Sequence, residues 1–257
     1  MTIKSHGISL LINGEKIISH LDLEIIPGEI TALLGPNGAG KSTALKILAG
    51  DIQPSSGDVK YNNINLSEIS IVERARLRGV MSQSQTVAFD FTTLEIIEMG
   101  WIHENNESYS FSYSDALEEI INICDLHSLL FRRFNTLSGG EQKRVNFARI
   151  LLQLWIPKID NYSRYLLLDE PFTNLDIFHE LKMLKIIKSY LSKNIGVLIV
   201  LHDLNIARKL ADNVTLMRDG KTIRQGPTDE ILQEDLLSKT FNTCIKVNDT
   251  SPKITFF

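Results

Sequence analysis

Gly35-Pro36-Asn37-Gly38-Ala39-Gly40-Lys41-Ser42-Thr43 is the stretch from which the rest of this chain is read. It fits a phosphate-binding pattern: Gly, four residues, Gly, Lys, then Ser or Thr. Ile30-Thr31-Ala32-Leu33-Leu34 before it reads as a short, fully buried strand. Ala44 to Ala49 after it reads as the start of a helix closed by Gly50. The loop therefore lies between a strand and a helix N-terminus, where backbone N–H groups and the helix dipole favour an anion. Lys41 is placed to reach β- and γ-phosphates, and the Ser42 hydroxyl to ligate Mg²⁺, with Thr43 beside it. The alternative is a glycine-rich turn opening an ordinary helix. At average composition the four fixed positions arise by chance in roughly one chain of this length per hundred, and the strand–loop–helix context reduces that further.

The chain has 257 residues, 43% hydrophobic and 23% charged, enough for one domain with a subdomain. A net charge of −4 and no basic stripe argue against a nucleic-acid surface. Cys124 and Cys244 form no metal-spaced pair and suggest a reduced compartment without disulfides. Met1 to His6 lacks a signal-peptide core, and no apolar run is long enough to cross a bilayer. A soluble cytoplasmic protein is expected.

Ile8–Ile12 and Leu21–Ile26 read as strands joined at Asn13-Gly14. Residues 53–57 read as a turn, Val59–Tyr61 as a strand closing at Asn62-Asn63, Ile71–Arg78 as a short basic helix and Val80–Ser82 as a strand ending at Gln83. From about 84 to 135 the pattern changes. Thr92-Thr93-Leu94-Glu95 is a capping box, Asn105–Ser112 is loop-like and Asp115–Cys124 has helical spacing, so a helical insertion is expected. A helix then opens at Leu137-Ser138-Gly139-Gly140-Glu141 and runs to about Leu154. The remaining elements are a strand at Tyr165–Leu168, a helix at Ile177–Leu191, a strand at Val197–Leu201, a helix at Leu204–Leu210 and a hairpin turning at Arg218-Asp219-Gly220. Alternating strands and helices argue for an α/β fold with a parallel sheet.

Leu166-Leu167-Leu168-Asp169-Glu170 supplies a second phosphate-site signal. A carboxylate ending a buried strand beside the loop can hold Mg²⁺, which assigns Asp169 to the metal, while Glu170 polarises the attacking water. His202, after the next apolar strand, is expected near the γ-phosphate. Gln83 is expected to touch Mg²⁺ or water. A lone His or Gln is more often structural, so both rest on their neighbours.

At Leu137 to Glu141 the sequence resembles the signature of ATP-binding-cassette (ABC) ATPases. The match extends in order through the phosphate loop, Gln83, the signature, Asp169-Glu170 and His202. Thr173-Asn174-Leu175-Asp176 looks like the family's subunit-contact loop. The resemblance implies an ABC-type P-loop NTPase over residues 1–257, with a parallel-sheet core (about 1–83 and 136–235), an N-terminal antiparallel β subdomain, a helical subdomain (about 84–135) and a C-terminal tail (about 236–257). It implies ATP and Mg²⁺ as cofactors and a head-to-tail homodimer, in which Ser138, Gly139 and Gly140 complete the site on the partner's Lys41 and Asp176 lies at the contact. Leu11, Ile12 and Asn13 stand where the family usually has an aromatic residue on adenine, which implies weak base selectivity. Phe172 replaces a small polar residue and is expected to pack.

The segment from Ser138 to Asp169 is longer than is usual in that family, the extra residues falling within Trp155–Arg164. That insertion, Leu151–Trp155 and Leu175–His179 look like bacterial haem-importer ATPases, although Glu180 replaces their usual Gln. The resemblance implies an ATPase subunit on the cytoplasmic face of the bacterial inner membrane, beneath integral permease subunits and served indirectly by a periplasmic substrate-binding protein. Ferric siderophore or cobalamin import is the alternative cargo. A soluble ABC ATPase acting on nucleic acid or ribosomes is remoter, because no long coiled coil, zinc cysteines or second cassette is present. An exporter would commonly carry fused membrane helices. His103, His127 and His179 are expected to pack rather than bind haem. Ala88-Phe89-Asp90-Phe91 is expected to offer exposed apolar anchors to the permease.

Overall fold

A computed structural model describes residues 2–83, 87–102, 112–155, 163–192, 194–248 and 253–256. The N-terminal part is a four-stranded antiparallel sheet, β1 (Ile3–Ile12), β2 (Glu15–Ile25), β4 (Ser56–Tyr61) and β5 (Ile64–Asn65), in the order β2-β1-β4-β5. Its two tight turns, Asn13-Gly14 and Asn62-Asn63, take positive φ at both positions. Asn and Gly accept that conformation at low cost, and it matches the twist of a hairpin.

The second sheet has six strands: β3 (Ile30–Leu34), β6 (Arg78–Met81), β7 (Arg164–Asp169), β8 (Ile195–Val200), β9 (Asn213–Arg218) and β10 (Lys221–Pro227). The order is β10-β9-β3-β8-β7-β6, parallel throughout except for the β9–β10 hairpin. Helices cover both faces, so its central strands are near-continuous apolar runs rather than alternating ones. Within β7, Leu166 and Leu168 pack to one side with Val145, Leu151 and Leu152, while Tyr165 and Leu167 pack to the other with Leu45 and Leu48. Removing a side chain such as that of Leu167 would cost about 2–5 kcal/mol.

The helices are α1 (Lys41–Ala49), α2 (Ile71–Leu77), α3 (Thr93–Glu98), α4 (Tyr113–Cys124), α5 (Gly139–Gln153), α6 (Ile177–Leu191), α7 (Leu204–Leu210), α8 (Thr228–Ile231) and α9 (Glu234–Phe241). The Thr92–Glu95 capping box forms in both directions, as do boxes at Ser70–Glu73 and Ser138–Glu141. At the C-terminal end, α9 is followed by the antiparallel pair β11 (Ile245–Asn248) and β12 (Lys253–Phe256). Among the described residues, no helix is long and apolar enough to cross a membrane.

Several expectations need correction. β1 begins at Ile3 rather than Ile8, and β4 begins at Ser56, inside the expected turn, because Ser9 pairs with Ser56 there. Trp155 is buried and its indole donates to Glu119 Oε2 at 2.7 Å, and Ser163 and Arg164 are also buried. Those three residues, at the two ends of the expected insertion, are thus packed into the folded body; 156–162 lie outside the described residues, as do 105–111 and His103. Phe89 is exposed, but Phe91 is half-buried against the apolar cluster beneath α3, so the expected pair of anchors reduces to Phe89. Phe172 is buried, as expected.

Candidate functional site

Four adjacent parallel strands end on one edge of the sheet. β3 leads into the phosphate loop, β8 into His202, β7 into Asp169-Glu170 and β6 into Gln83. Ligands in open α/β sheets bind outside the carboxyl ends of the strands, and this edge carries the residues the sequence singles out. Gly38 to Thr43, Gln83, Glu170 and His202 line one cleft of about 600 Å³.

The loop is built to receive an anion. α2, α3 and α5 each start with a side chain that satisfies their free N–H groups. The N-cap of α1 is Gly40, which has no side chain to do so, and no side-chain cap is made. Its first N–H donors therefore point to the cleft uncapped. Lys41 is buried, and its ammonium donates to the carbonyls of Gly35 (2.8 Å) and Pro36 (3.0 Å). Burial pulls its pKa below the usual lysine value, against the opposing pull of Glu170 and Asp169.

Two carboxylates stand at the end of β7, Glu170 lining the cleft and Asp169 buried. Ser42 Oγ donates to Asp169 Oδ1 at 3.1 Å. Burial pushes the Asp169 carboxyl above its ordinary pKa, while the Ser42 hydroxyl pulls it down. Glu170 faces other partners. The Gln83 amide donates to its Oε2 at 3.0 Å, His202 Nε2 lies 2.5 Å from its Oε1, and the Thr173 hydroxyl donates to Oε2 at 3.4 Å. Glu170 has φ 49°, a conformation few non-glycine residues adopt, and such outliers cluster at functional sites.

The oxygens of Ser42 and Asp169 with the Gln83 amide form a hard donor set suited to Mg²⁺. The uncapped N–H groups of α1 suit phosphate. The residues present therefore fit both groups.

A second cleft, of about 330 Å³, is lined by Ser138, Gly140, Asn174 and Asp176. Ser138 is the N-cap of α5, and Asp176 caps α6 by accepting from the His179 backbone N–H at 2.9 Å. The two clefts share no lining residue, so the signature does not line this chain's own phosphate cleft. The His179 ring hydrogen-bonds Asp176 and the His127 ring hydrogen-bonds Asn122.

Sequence reading missed two residues here. Ile17 lines the phosphate cleft, whereas Leu11 and Ile12, at the positions read for the adenine-stacking residue, are exposed. Lys143 donates from Nζ to the Glu170 carbonyl at 2.5 Å. No pattern of spacing distinguishes either. By contrast, the Ser138–Glu141 capping box was readable as Ser-x-x-Glu.

Fold and cleft together define a phosphate-loop nucleotide-binding cassette. A family model described as ABC transporter matches residues 18–173, and the chain belongs to that family. A protein named hemin import ATP-binding protein HmuV, from Chelativorans sp. (strain BNC1), is 38% identical over 95% of this chain and 93% of its own length. Its namesake from Escherichia coli O157:H7 is 37% identical over 95% and 94%. Among solved structures, the ATP-binding subunit of an ABC transporter matches with TM-score 0.79 at 22% identity over 90% and 92% of the two chains, a likeness of fold. The dimeric bacterial ABC transporter cassette MJ0796 matches with TM-score 0.77 at 25% identity over 88% and 98%. The expected α/β phosphate-loop fold of the ABC type is thus the observed one.

Proposed function

We propose that this chain is the ATP-hydrolysing subunit of a haem importer. The observation that carries this reading is the meeting of Lys41, Ser42, Asp169, Glu170, Gln83 and His202 at one sheet edge. The cargo is taken from relatives named for hemin import that match 95% of the chain.

In this reading the backbone of Gly35, Pro36, Asn37, Gly38, Ala39 and Gly40, with Lys41, Ser42 and Thr43, holds the phosphates of ATP. Ser42, Gln83 and Asp169 hold Mg²⁺, which when bound neutralises phosphate charge as a Lewis acid. Glu170 accepts the proton of the attacking water, and His202, already against its carboxylate, orients that group toward the γ-phosphate. Ser138, Gly139 and Gly140 of a second copy complete the site across a head-to-tail homodimer, with Asp176 at the contact. Their separate cleft supports this arrangement, because the signature does not line its own chain's phosphate cleft.

The work is done on the cytoplasmic face of a bacterial inner membrane. Integral permease subunits dock near Gln83 and the exposed Phe89, and a periplasmic binding protein delivers cargo to them. Nucleic acid is not a partner. The chain acts as a single cassette: a core of about 1–83 and 136–235, a helical subdomain of about 84–135 and a C-terminal tail of about 236–257.

The experiment is uptake into proteoliposomes holding the chain with its permease, loaded with Mg²⁺-ATP and offered haem, a ferric siderophore or cobalamin in separate assays. ATP-dependent accumulation of haem alone is expected. Accumulation of siderophore or cobalamin without haem would replace the cargo.

A further inference from the structure

The first turns of α5 face two ways. Ser138 at the N-cap lines the second cleft. One and a half turns on, the half-buried Lys143 turns inward, and its Nζ donates to the main-chain carbonyl of Glu170 at 2.5 Å. On the other side of the same residue, the Glu170 N–H donates to the Val200 carbonyl of β8 at 3.2 Å. Glu170 is thus pinned at both backbone groups while in a left-handed conformation with φ 49°. Its carboxylate is aimed at Gln83 and His202.

The start of α5 is also in close contact with the turn that follows Glu170. A Cβ on Gly140 would lie 2.7 Å from the Asn174 carbonyl, so helix and turn are closely apposed at that point. Burial lowers the pKa of the Lys143 ammonium, and the charges of Glu170 and Asp169 raise it, so the cation stands in the field of both site carboxylates.

We propose that Lys143 is a positioning residue for ATP hydrolysis: by gripping the Glu170 carbonyl it holds that carboxylate toward the phosphate loop and passes to it any displacement of the signature end of α5. This rests on the reading of Glu170 as the proton acceptor. It makes each chain's base responsive to what its own signature engages. Arg can supply a cation and a donor at that place; Met can fill the volume but do neither.

The test uses the assembled transporter with Lys143→Met and Lys143→Arg. For Lys143→Met, kcat should fall roughly tenfold, since a misaimed catalytic group costs rate rather than binding. KM for ATP should stay within about twofold of the parent. Lys143→Arg should recover most of the rate. Lys143→Met placed in a Glu170→Gln background should still trap ATP in a dimer, because nucleotide binding and association do not pass through the grip.

Unchanged kcat in Lys143→Met would overturn the proposal. So would equal rates for Met and Arg, or a joint loss of kcat, ATP affinity and thermal midpoint, which marks a merely structural lysine. If the unsubstituted transporter itself hydrolyses no ATP, the functional reading fails, and Lys143 is not reached.

Discussion

Ser42 Oγ and Asp169 Oδ1 stand 3.1 Å apart, joining the phosphate loop to the end of β7 across 127 positions of sequence. It is a contact between the two parts that, in the proposed function, would share one Mg²⁺. It also holds a buried carboxylate whose pKa is raised, chiefly by burial. A buried acid of that kind favours its neutral form, so its ionised form at neutral pH works against the folded, nucleotide-free chain.

Asp169→Asn should therefore stabilise the nucleotide-free chain while abolishing Mg²⁺-dependent hydrolysis. Replacing a buried functional carboxylate by its amide commonly returns about 1 kcal/mol, a rise of roughly 2–4 °C in thermal midpoint for a chain of this size. The sign with pH follows from the raised value. The gain is present where the native Asp169 is ionised, shrinks as pH falls through its folded-state pKa, and is gone below the ordinary value of 3.8. Thermal melts of both forms across that range check it. A destabilised Asn variant at pH 7 would contradict the burial argument.

Two glycines of the phosphate loop should separate sharply. A Cβ on Gly35 would lie 2.1 Å from the Met217 carbonyl, a backbone atom of β9 that cannot swing aside. Gly38 has φ +79° but nothing within 4 Å of the Cβ position. Gly38→Ala should cost only the backbone strain, about 1–2 kcal/mol. Gly35→Ala should cost about 3 kcal/mol or more, since overpacking into fixed backbone is added. Denaturant titration of both variants measures the difference. Equal losses would mean that the loop and β9 can part.

Much of this fold is legible before the structure. β3, α6 and α7 coincide with the expected spans because short apolar runs and helical periods end at Pro, Gly, Asp or Asn. The site residues are legible because chemistry fixes their types at strand ends. What is not legible depends on partners distant in sequence. Lys4-Ser5-His6-Gly7 has little strand character of its own and becomes strand by pairing with β2 and β4. Ser56-Gly57 reads as a turn and is drawn into β4 by Ser9. Lys143 reads as an ordinary helix-surface lysine until α5 is laid beside Glu170. Ile17 enters the phosphate cleft only through the placement of β2.

The separation of the two clefts predicts complementation between broken chains. A Lys41→Ala chain lacks its phosphate-loop cation, and a Ser138→Arg chain blocks the signature cleft. Each homodimer then has two defective sites. A mixed dimer has one intact site, formed by the Lys41 of one chain and the Ser138 of the other, and one site with both defects. ATP retained by the mixture should exceed that retained by either homodimer by at least about tenfold, the effect expected for a lost charge-assisted phosphate contact. Filter retention of labelled ATP, with mixed dimers confirmed by mass, reads this out. A mixture no better than its parents would place each complete site within one chain.

In the proposed function, hydrolysis at Glu170 drives haem across a membrane. Its most direct measurement is haem uptake by proteoliposomes containing the full transporter, with the parent chain and with Glu170→Gln side by side. The amide keeps the donor contacts' shape but loses the proton acceptor, so ATP should bind and the dimer should accumulate while turnover falls by about 10²–10⁴-fold. ATP-dependent haem accumulation is expected with the parent chain, and none above the ATP-free background with Glu170→Gln. Equal uptake by the two forms, or ATP turnover by the parent chain with no haem moved, would contradict it.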